Sequence, residues 1–404
     1  MKTSLLWGVC GALALAARPA LAQGSLVFTA LLPLPVPHYG MGYCNTQTAI
    51  YQVGGGSNAT AYTGDAYRYS LIGNVWAAGT TGLTLQRWTT AAILDPNPST
   101  SLIYVLNGQN STGAPVPLLE SVSVLAGGSG PSTTNPQPTA SAGSAVWNGV
   151  LYCYGGSNSG VYANALRAYN YLTDTWTTLA PMPEAKETRG AAVNGKIYAF
   201  GGYNGVVNSS RVDAYDIATN QWQALGTLPA TVSNQAVAVQ GEWIWLVGDF
   251  NNQSYLAAYN TRTAQLRTFT SNLPPRRNAG AAVVNDQLYV WGGNTASANS
   301  SALADMWRAD VLTILLGTAP AAALPVLQAY PNPLVGSTLR VVLPSAEATQ
   351  LTVCDAQGRE VRRQSCAPGT STCELDLAPL AAGFYLVRVE AAGRPLAACR
   401  LARQ

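Results

Sequence analysis

Six times along the chain an apolar run bearing an aromatic residue ends at glycine, and the regular spacing of these runs constrains the fold more than any other feature. Four copies close on a glycine pair: Ile50 to Gly54-Gly55, Leu151 to Gly155-Gly156, Ile197 to Gly201-Gly202 and Leu288 to Gly292-Gly293. Two are degenerate: Ile103 to Asn107-Gly108, and Trp243 to Val247-Gly248. Successive copies start 45 to 53 residues apart. A period of that length is the mark of a chain built from stacked supersecondary units, none of which buries its apolar faces alone. The composition agrees: only 10% of residues are charged, and 39 Gly and 20 Tyr suit strands joined by tight turns.

Further marks stand in register with the glycines. A tyrosine follows at Tyr69, Tyr169, Tyr215 and Tyr259, and a tryptophan soon after at Trp76, Trp176 and Trp222. Leu and Pro residues then lead to an arginine, as in Leu179-Ala180-Pro181-Met182-Pro183 before Arg189, and Leu273-Pro274-Pro275 before Arg277. In combination this pattern resembles the kelch family over residues 26–311. The resemblance implies an all-β, six-bladed kelch β-propeller with four strands per blade. Glycine at the strand ends permits tight turns and close backbone approach, and tryptophan fills the wedge between blades. The N-terminal segment Phe28 to Pro35 copies the spacing of Trp176 to Pro183, while the last repeat fades after Trp307 to Val311 without an outer strand. The N-terminal strand is therefore expected to complete the sixth blade and close the ring, with Phe28 in the sheet of Met306 and Trp307. Blade two lacks the tryptophan, and Gly127 to Ser144 reads as a Gly/Ser/Thr/Pro-rich loop.

The ends of the chain carry other signals. Lys2, an apolar stretch from Leu5 to Ala17 and small residues at Ala20 and Ala22 read as a secretory signal over 1–22. The propeller is then expected over 23–311. The apolar stretch up to Val326 is broken by Gly317, Pro320 and Pro325, so 312–326 reads as a Pro/Ala linker rather than a transmembrane span. An exported chain meets oxidising conditions, which permits disulfides. Cys366 and Cys373 flank a turn and are candidates to staple a hairpin; Cys44–Cys153 is a weaker candidate.

From residue 327 onward the composition changes, and the alternation of Thr338 to Leu343, Leu351 to Cys354 and Gly383 to Val389 predicts a small C-terminal β-sandwich. Tyr330-Pro331-Asn332-Pro333, the Asp355 to Gly358 turn, and Leu377 to Val389 with Gly383 and Tyr385 resemble the C-terminal sorting domain of type IX secretion substrates. A short tail from Leu396 to Gln404 follows the last turn. That resemblance covers 327–404. It implies an outer-membrane export machine as partner and a final place outside, or on the surface of, a Gram-negative bacterium.

What chemistry is available? The net charge is +3 without a basic run, which sets nucleic acid aside. The chain holds a single histidine, His38. Multi-histidine zinc sites, and the copper site of galactose-oxidase-like kelch enzymes with its two histidines, need more, so no metal or cofactor is expected. A face remains. In a propeller, the loops after the second strands and the crossings between blades open on one side. The loops offer Asn58, Asn110, Asn158, Tyr203, Asn204, Asp249, Phe250, Asn251 and Asn294; the crossings offer His38, Arg87, Arg189, Asn234 and Arg277. Some kelch proteins bind acidic peptides or carboxylates through arginines so placed. The duller use of these arginines is to hold loop carbonyls. The leading expectation is an exported, non-enzymatic propeller that binds a protein, peptide or glycan through its loop face. Alternatives are a sugar mutarotase or epimerase of the sialic-acid type, with Glu184, Glu187 or Asp249 as acid or base, and a structural envelope component.

Overall fold

The computed structural model describes residues 21–404 apart from 80–81, 89–90, 95–101, 124–128, 313–326, 345–348, 356–358, 392–393 and 404. Residues 1–20 of the expected signal segment 1–22, most of the linker, Gly358 and Gly393 thus lie outside the described residues. The chain is all-β. Among the described residues between 21 and 310 lie six sheets of four or five strands: four are meanders in chain order, and the fifth and sixth are meanders that each add an outer strand from the N-terminal segment. The innermost strands are Gly42–Asn45, Ala91–Leu94, Gly143–Trp147, Glu187–Val193, Ala236–Gln240 and Gly280–Val284. Each touches the next, and the last touches the first.

The interfaces between sheets are apolar because every second strand is buried on both faces. Val150–Tyr154, Trp243–Val247 and Gln287–Trp291 are buried along nearly their whole length, which is why these runs read as continuous rather than alternating. Trp245, Val247, Leu288 and Val290 fill the space between the fifth and sixth sheets. Ile50, Tyr69 and Trp76 meet Tyr289, Trp291 and Met306 between the sixth and the first. At this second seam the Trp291 indole N–H donates to the Gln52 side chain at 2.9 Å, so a buried polar group is satisfied across the junction.

The N-terminal segment serves two sheets. Leu21–Leu26 runs parallel to Leu266–Ser271 at the edge of the fifth sheet, a strand that the repeat pattern does not reveal. Its first two residues precede the expected mature start at Gln23. Thr29–Leu31 then pairs antiparallel with Met306, Trp307 and Arg308, as the outer strand of the sixth sheet. Phe28 itself sits between the two pairings, buried, with its backbone bound both ways to the Asn272 side chain at 2.7 and 2.9 Å.

The glycine pairs are placed where a side chain would collide. At Gly55 (φ +95°) an added Cβ would lie 2.6 Å from the Tyr39 carbonyl oxygen, and at Gly293 (φ +95°) 2.7 Å from that of Arg277. Both glycines face the crossing that leads into a neighbouring inner strand, and no L side chain fits that conformation and that space together. The expected loop from Gly127 to Ser144 is corrected: Ser129–Thr134 is the outer strand of the second sheet, and Gly143 already opens the third. Backbone pairing with Leu118–Ser123 overrides the turn-like composition there.

The C-terminal residues form two further sheets, Ala329–Tyr330 with Thr338–Val342 and Thr372–Asp376, and Glu360–Cys366 with Thr349–Cys354, Gly383–Ala391 and Arg394–Arg403. Leu339, Val341, Leu375, Leu351, Val353 and Val387 pack between them. Four of these seven strands are absent from the sequence reading, and the expected tail is strand Arg394–Arg403. Cys366 and Cys373 are joined by a disulfide; Cys44 and Cys153 are free. The Tyr330-Pro331 and Asn332-Pro333 peptide bonds are cis.

Candidate functional site

Each inner strand is approached through a crossing, and several crossings end in a residue of left-handed conformation: Gly40 (φ 62°), Ser141 (φ 54°), Asn234 (φ 56°) and Asn278 (φ 54°). These are residue types that tolerate αL, or a short polar one held there by its neighbours. Backbone bonds link three of them around an axis: Gly40 N–H donates to the Asn278 carbonyl at 2.8 Å, and Asn278 N–H to that of Asn234 at 3.0 Å. Inside this rim lies an axial cavity of about 290 Å³, lined among others by Tyr43, Ser144, Arg189, Asn234, Gln235 and Asn278.

Two features give the cavity its chemistry. Arg189 donates from Nη1 to the Ala142 carbonyl at 2.8 Å and has no carboxylate partner at ion-pair distance among the described residues. Burial pushes its guanidinium below the ordinary value, opposed by Tyr43, Glu187 and Tyr154. Gln235 is buried, spends its amide N–H on the Phe200 carbonyl at 3.0 Å, and leaves Oε1 unpartnered. A buried amide oxygen without a donor is costly unless something else supplies one. Tyr43 reaches from the first sheet to the fifth, where its hydroxyl accepts from Val237 N–H at 2.8 Å. Burial raises its pKa, with Val237 and Arg189 acting against that. Near the rim, Glu187 accepts from the Ser157 hydroxyl at 2.6 Å, and burial raises its carboxyl pKa against Ser157, Arg189 and Ser141.

The other expected ligand residues are otherwise engaged. Arg87 is wholly buried: it pairs with buried Glu120 and donates to the Leu118 carbonyl at 2.8 Å. It is a clamp, not a surface contact. His38 is also wholly buried, with Nδ1 at 2.9 Å from the Val36 carbonyl and Nε2 at 3.5 Å from Asp65. Asp249 accepts from the Ser233, Asn251 and Asn252 backbone N–H groups at 2.6, 3.0 and 2.8 Å, so it shapes its loop. Arg277 is buried with its guanidinium 4.0 Å above the ring of Phe250, which is itself 42% exposed. Tyr203 donates to the Gly205 carbonyl at 2.8 Å and packs edge-on against Tyr162.

The alignment of arginines read from the sequence is corrected as well. Gly55 N–H donates to the Arg87 carbonyl, Gly156 N–H to that of Lys186 and Gly293 N–H to that of His38, at 2.8, 2.9 and 2.7 Å. The equivalent crossing residues are therefore His38, Arg87 and Lys186, joined on the sixth sheet by Arg276, which binds Asp305 through both terminal nitrogens at 3.1 and 2.8 Å. Lys186 sits between Glu184 and Asp213, at 3.0 and 3.6 Å. Arg189 and Arg277 lie further along and are freed from that duty. The sequence holds a signal for this: Lys186 and Arg276 stand in the same crossings as Arg189 and Arg277.

Similarity to known proteins matches these observations. Residues 138–183 and 187–229 match the kelch motif, and residues 328–397 match the secretion system C-terminal sorting domain. The chain thus carries kelch motifs and a type IX sorting domain, which marks it for secretion or for the surface of a Gram-negative bacterium. A solved structure titled "Structure of YjhT" is similar over 68% of this chain and 95% of its own, with a TM-score of 0.59 and 14% identity. At that identity the likeness shows the propeller fold alone. No curated relative matches the chain. Among the described residues no helix is long and apolar enough to cross a membrane.

Proposed function

We propose that this exported kelch protein is a binding propeller whose loop face takes a carboxylate-bearing segment of a protein, peptide or glycan, with Arg189 as the anchor. In this reading the six sheets are six blades over 23–311, closed by the N-terminal strand, with 312–326 as linker and 327–404 as the sorting domain. The observation that carries the reading is the contrast among the cations. Arg87, Lys186 and Arg276 each have a carboxylate within ion-pair distance, whereas Arg189 lines a cavity, hydrogen-bonded to a carbonyl and with no carboxylate at that distance among the described residues. A planar guanidinium with free donors in a partly dry site favours a carboxylate, which it can bind through two parallel hydrogen bonds. Gln235, in the lining of the same cavity, has a buried Oε1 that lacks a protein donor. The test is a peptide and glycan array with the mature propeller, repeated with Arg189→Gln. Retention of every acidic hit by the variant overturns the reading.

A second reading is favoured by Glu187. A carboxyl of raised pKa close to an arginine is the kind of acid–base pair that a sugar mutarotase or epimerase needs, and it requires no histidine. Proton NMR of anomer exchange in free sialic acid separates the two. Acceleration by the wild-type chain that Glu187→Gln abolishes supports the enzyme; spontaneous rates in both leave the binding protein.

A further inference from the structure

A second cavity, of about 360 Å³, lies away from the axis between the crossing at 136–139 and the third sheet. We propose that it is a subsite for a uronic acid, a carboxylate-bearing pyranose, independent of the axial site. The size is at the lower end of small-molecule sites, which run from about 300 to 1,000 Å³.

The charged group at its wall is Arg167. Its Nε donates to Gln137 Oε1 at 3.1 Å and its Nη1 to Thr178 Oγ1 at 2.7 Å. Both acceptors are neutral. They fix the plane of the guanidinium without neutralising it, and Nη2 has no protein partner among the described residues. A preoriented cation without a counter-ion is the arrangement that rewards an anionic ligand, because little ordering is left to be done on binding.

The rest of the lining selects the kind of anion. Pro136, Pro138 and Tyr162 present flat apolar surfaces suited to the C–H face of a sugar ring. Asn158 and Asn164 are exposed amides on the same wall. Asn164 spends one N–H on the Met182 carbonyl at 3.1 Å, leaving its oxygen open. Amides that donate and accept match hydroxyl groups, which do the same. A strongly acidic peptide would call for more than the one arginine in this lining. One carboxylate on a polyhydroxylated ring matches one arginine set among amides.

The experiment is calorimetric titration of the mature chain with tetragalacturonate, and with its fully methyl-esterified form as a neutral ring of the same shape. Arg167→Gln and Arg189→Gln are titrated alongside. Binding of the acid form that weakens about tenfold to a hundredfold in Arg167→Gln, as expected for loss of a charge-assisted contact, and that persists in Arg189→Gln supports the proposal. Loss only in Arg189→Gln, equal binding of the methyl ester, displacement by a tetraglutamate peptide at equal concentration, or no binding at all overturns it. The Arg189→Gln arm keeps failure of this proposal distinct from failure of the axial reading.

Discussion

Tyr169 and Trp176 stand directly opposite each other on neighbouring strands, their rings 5.0 Å apart, and the tyrosine hydroxyl reaches on to the Asp174 carboxylate at 3.0 Å. The same unit recurs as Tyr69, Trp76 and Asn74, and as Tyr215, Trp222 and Asn220. In each case the third residue is the left-handed one in the turn between the two strands. The ring pair therefore fixes the hairpin turn as well as the packing. Burial differs among the three: Trp76 is buried, while Trp176 and Trp222 are half-exposed on outer strands. Trp76→Ala should cost about 3–5 kcal/mol and Trp176→Ala about 2–3 kcal/mol, the smaller figure reflecting contacts already given to solvent. Urea unfolding checks the order; equal losses would contradict it.

Arg87 and Glu120 form a pair in which both side chains are wholly buried. Arg87→Ala should destabilise by about 3–5 kcal/mol, because it strands a charge that also accepts the Thr84 N–H at 2.9 Å. The double change Arg87→Met with Glu120→Leu should recover much of that loss. Ligand binding by any refolded single variant should be unchanged, since the pair lies outside the axial cavity lining.

The repeat was legible because glycine at a strand end and a tyrosine–tryptophan pair across a hairpin are local requirements, written in adjacent residues. What escaped was non-local or carried by ordinary residues. The parallel strand Leu21–Leu26 has no mark of its own, since its place is set by the edge of a strand some 245 residues away. Lys186 and Arg276 cannot be told from Arg189 and Arg277 in the sequence, which shows that a cation stands in a crossing but not which way it faces. Tyr43 lies on an inner strand and Gln235 just before one, both without repeat markers, so the sequence does not set them apart from packing residues.

Glu187 makes stability pH-dependent in a definite sense. Its carboxyl pKa is raised in the folded state by burial, so folding favours the protonated form. That contribution is full below the ordinary carboxylate range and is lost as pH rises through the raised value. Glu187→Gln, which keeps an acceptor for Ser157, should therefore stabilise the chain at pH 7 and make little difference near pH 3. Urea midpoints at the two pH values check the sign. A variant less stable at pH 7 would show that the charge is better accommodated than its burial implies.

Removal of residues 23–33 tests the double role of the N-terminal segment. It strips Thr29–Leu31 from Met306–Asp310 and most of Leu21–Leu26 from Leu266–Ser271, baring two strand edges at once. The shortened chain should aggregate or lose its cooperative unfolding transition. Size-exclusion chromatography showing a stable monomer would mean that the ring tolerates an open seam.

The C-terminal domain should act as an export address and not as part of the propeller. It has a core of its own, centred on Leu351, Val353 and Val387, and the outer strand of the sixth sheet comes from the N-terminus rather than from it. It meets the propeller through Arg400, which donates to the Asn285 carbonyl at 2.6 Å and lies 3.3 Å from Asp286. Such a half-exposed pair contributes about 0–1 kcal/mol, too little for either unit to depend on it. Deleting 327–404 should leave thermal unfolding of the propeller within a few degrees of the full chain. In a host with type IX secretion the truncated chain should collect in the periplasm, because a signal peptide alone takes it no further, while the full chain reaches the surface or the medium. Normal export of the truncated chain would show that the domain's match to sorting sequences is not what moves this protein. Loss of the propeller's folding on truncation would show instead that the domain braces it.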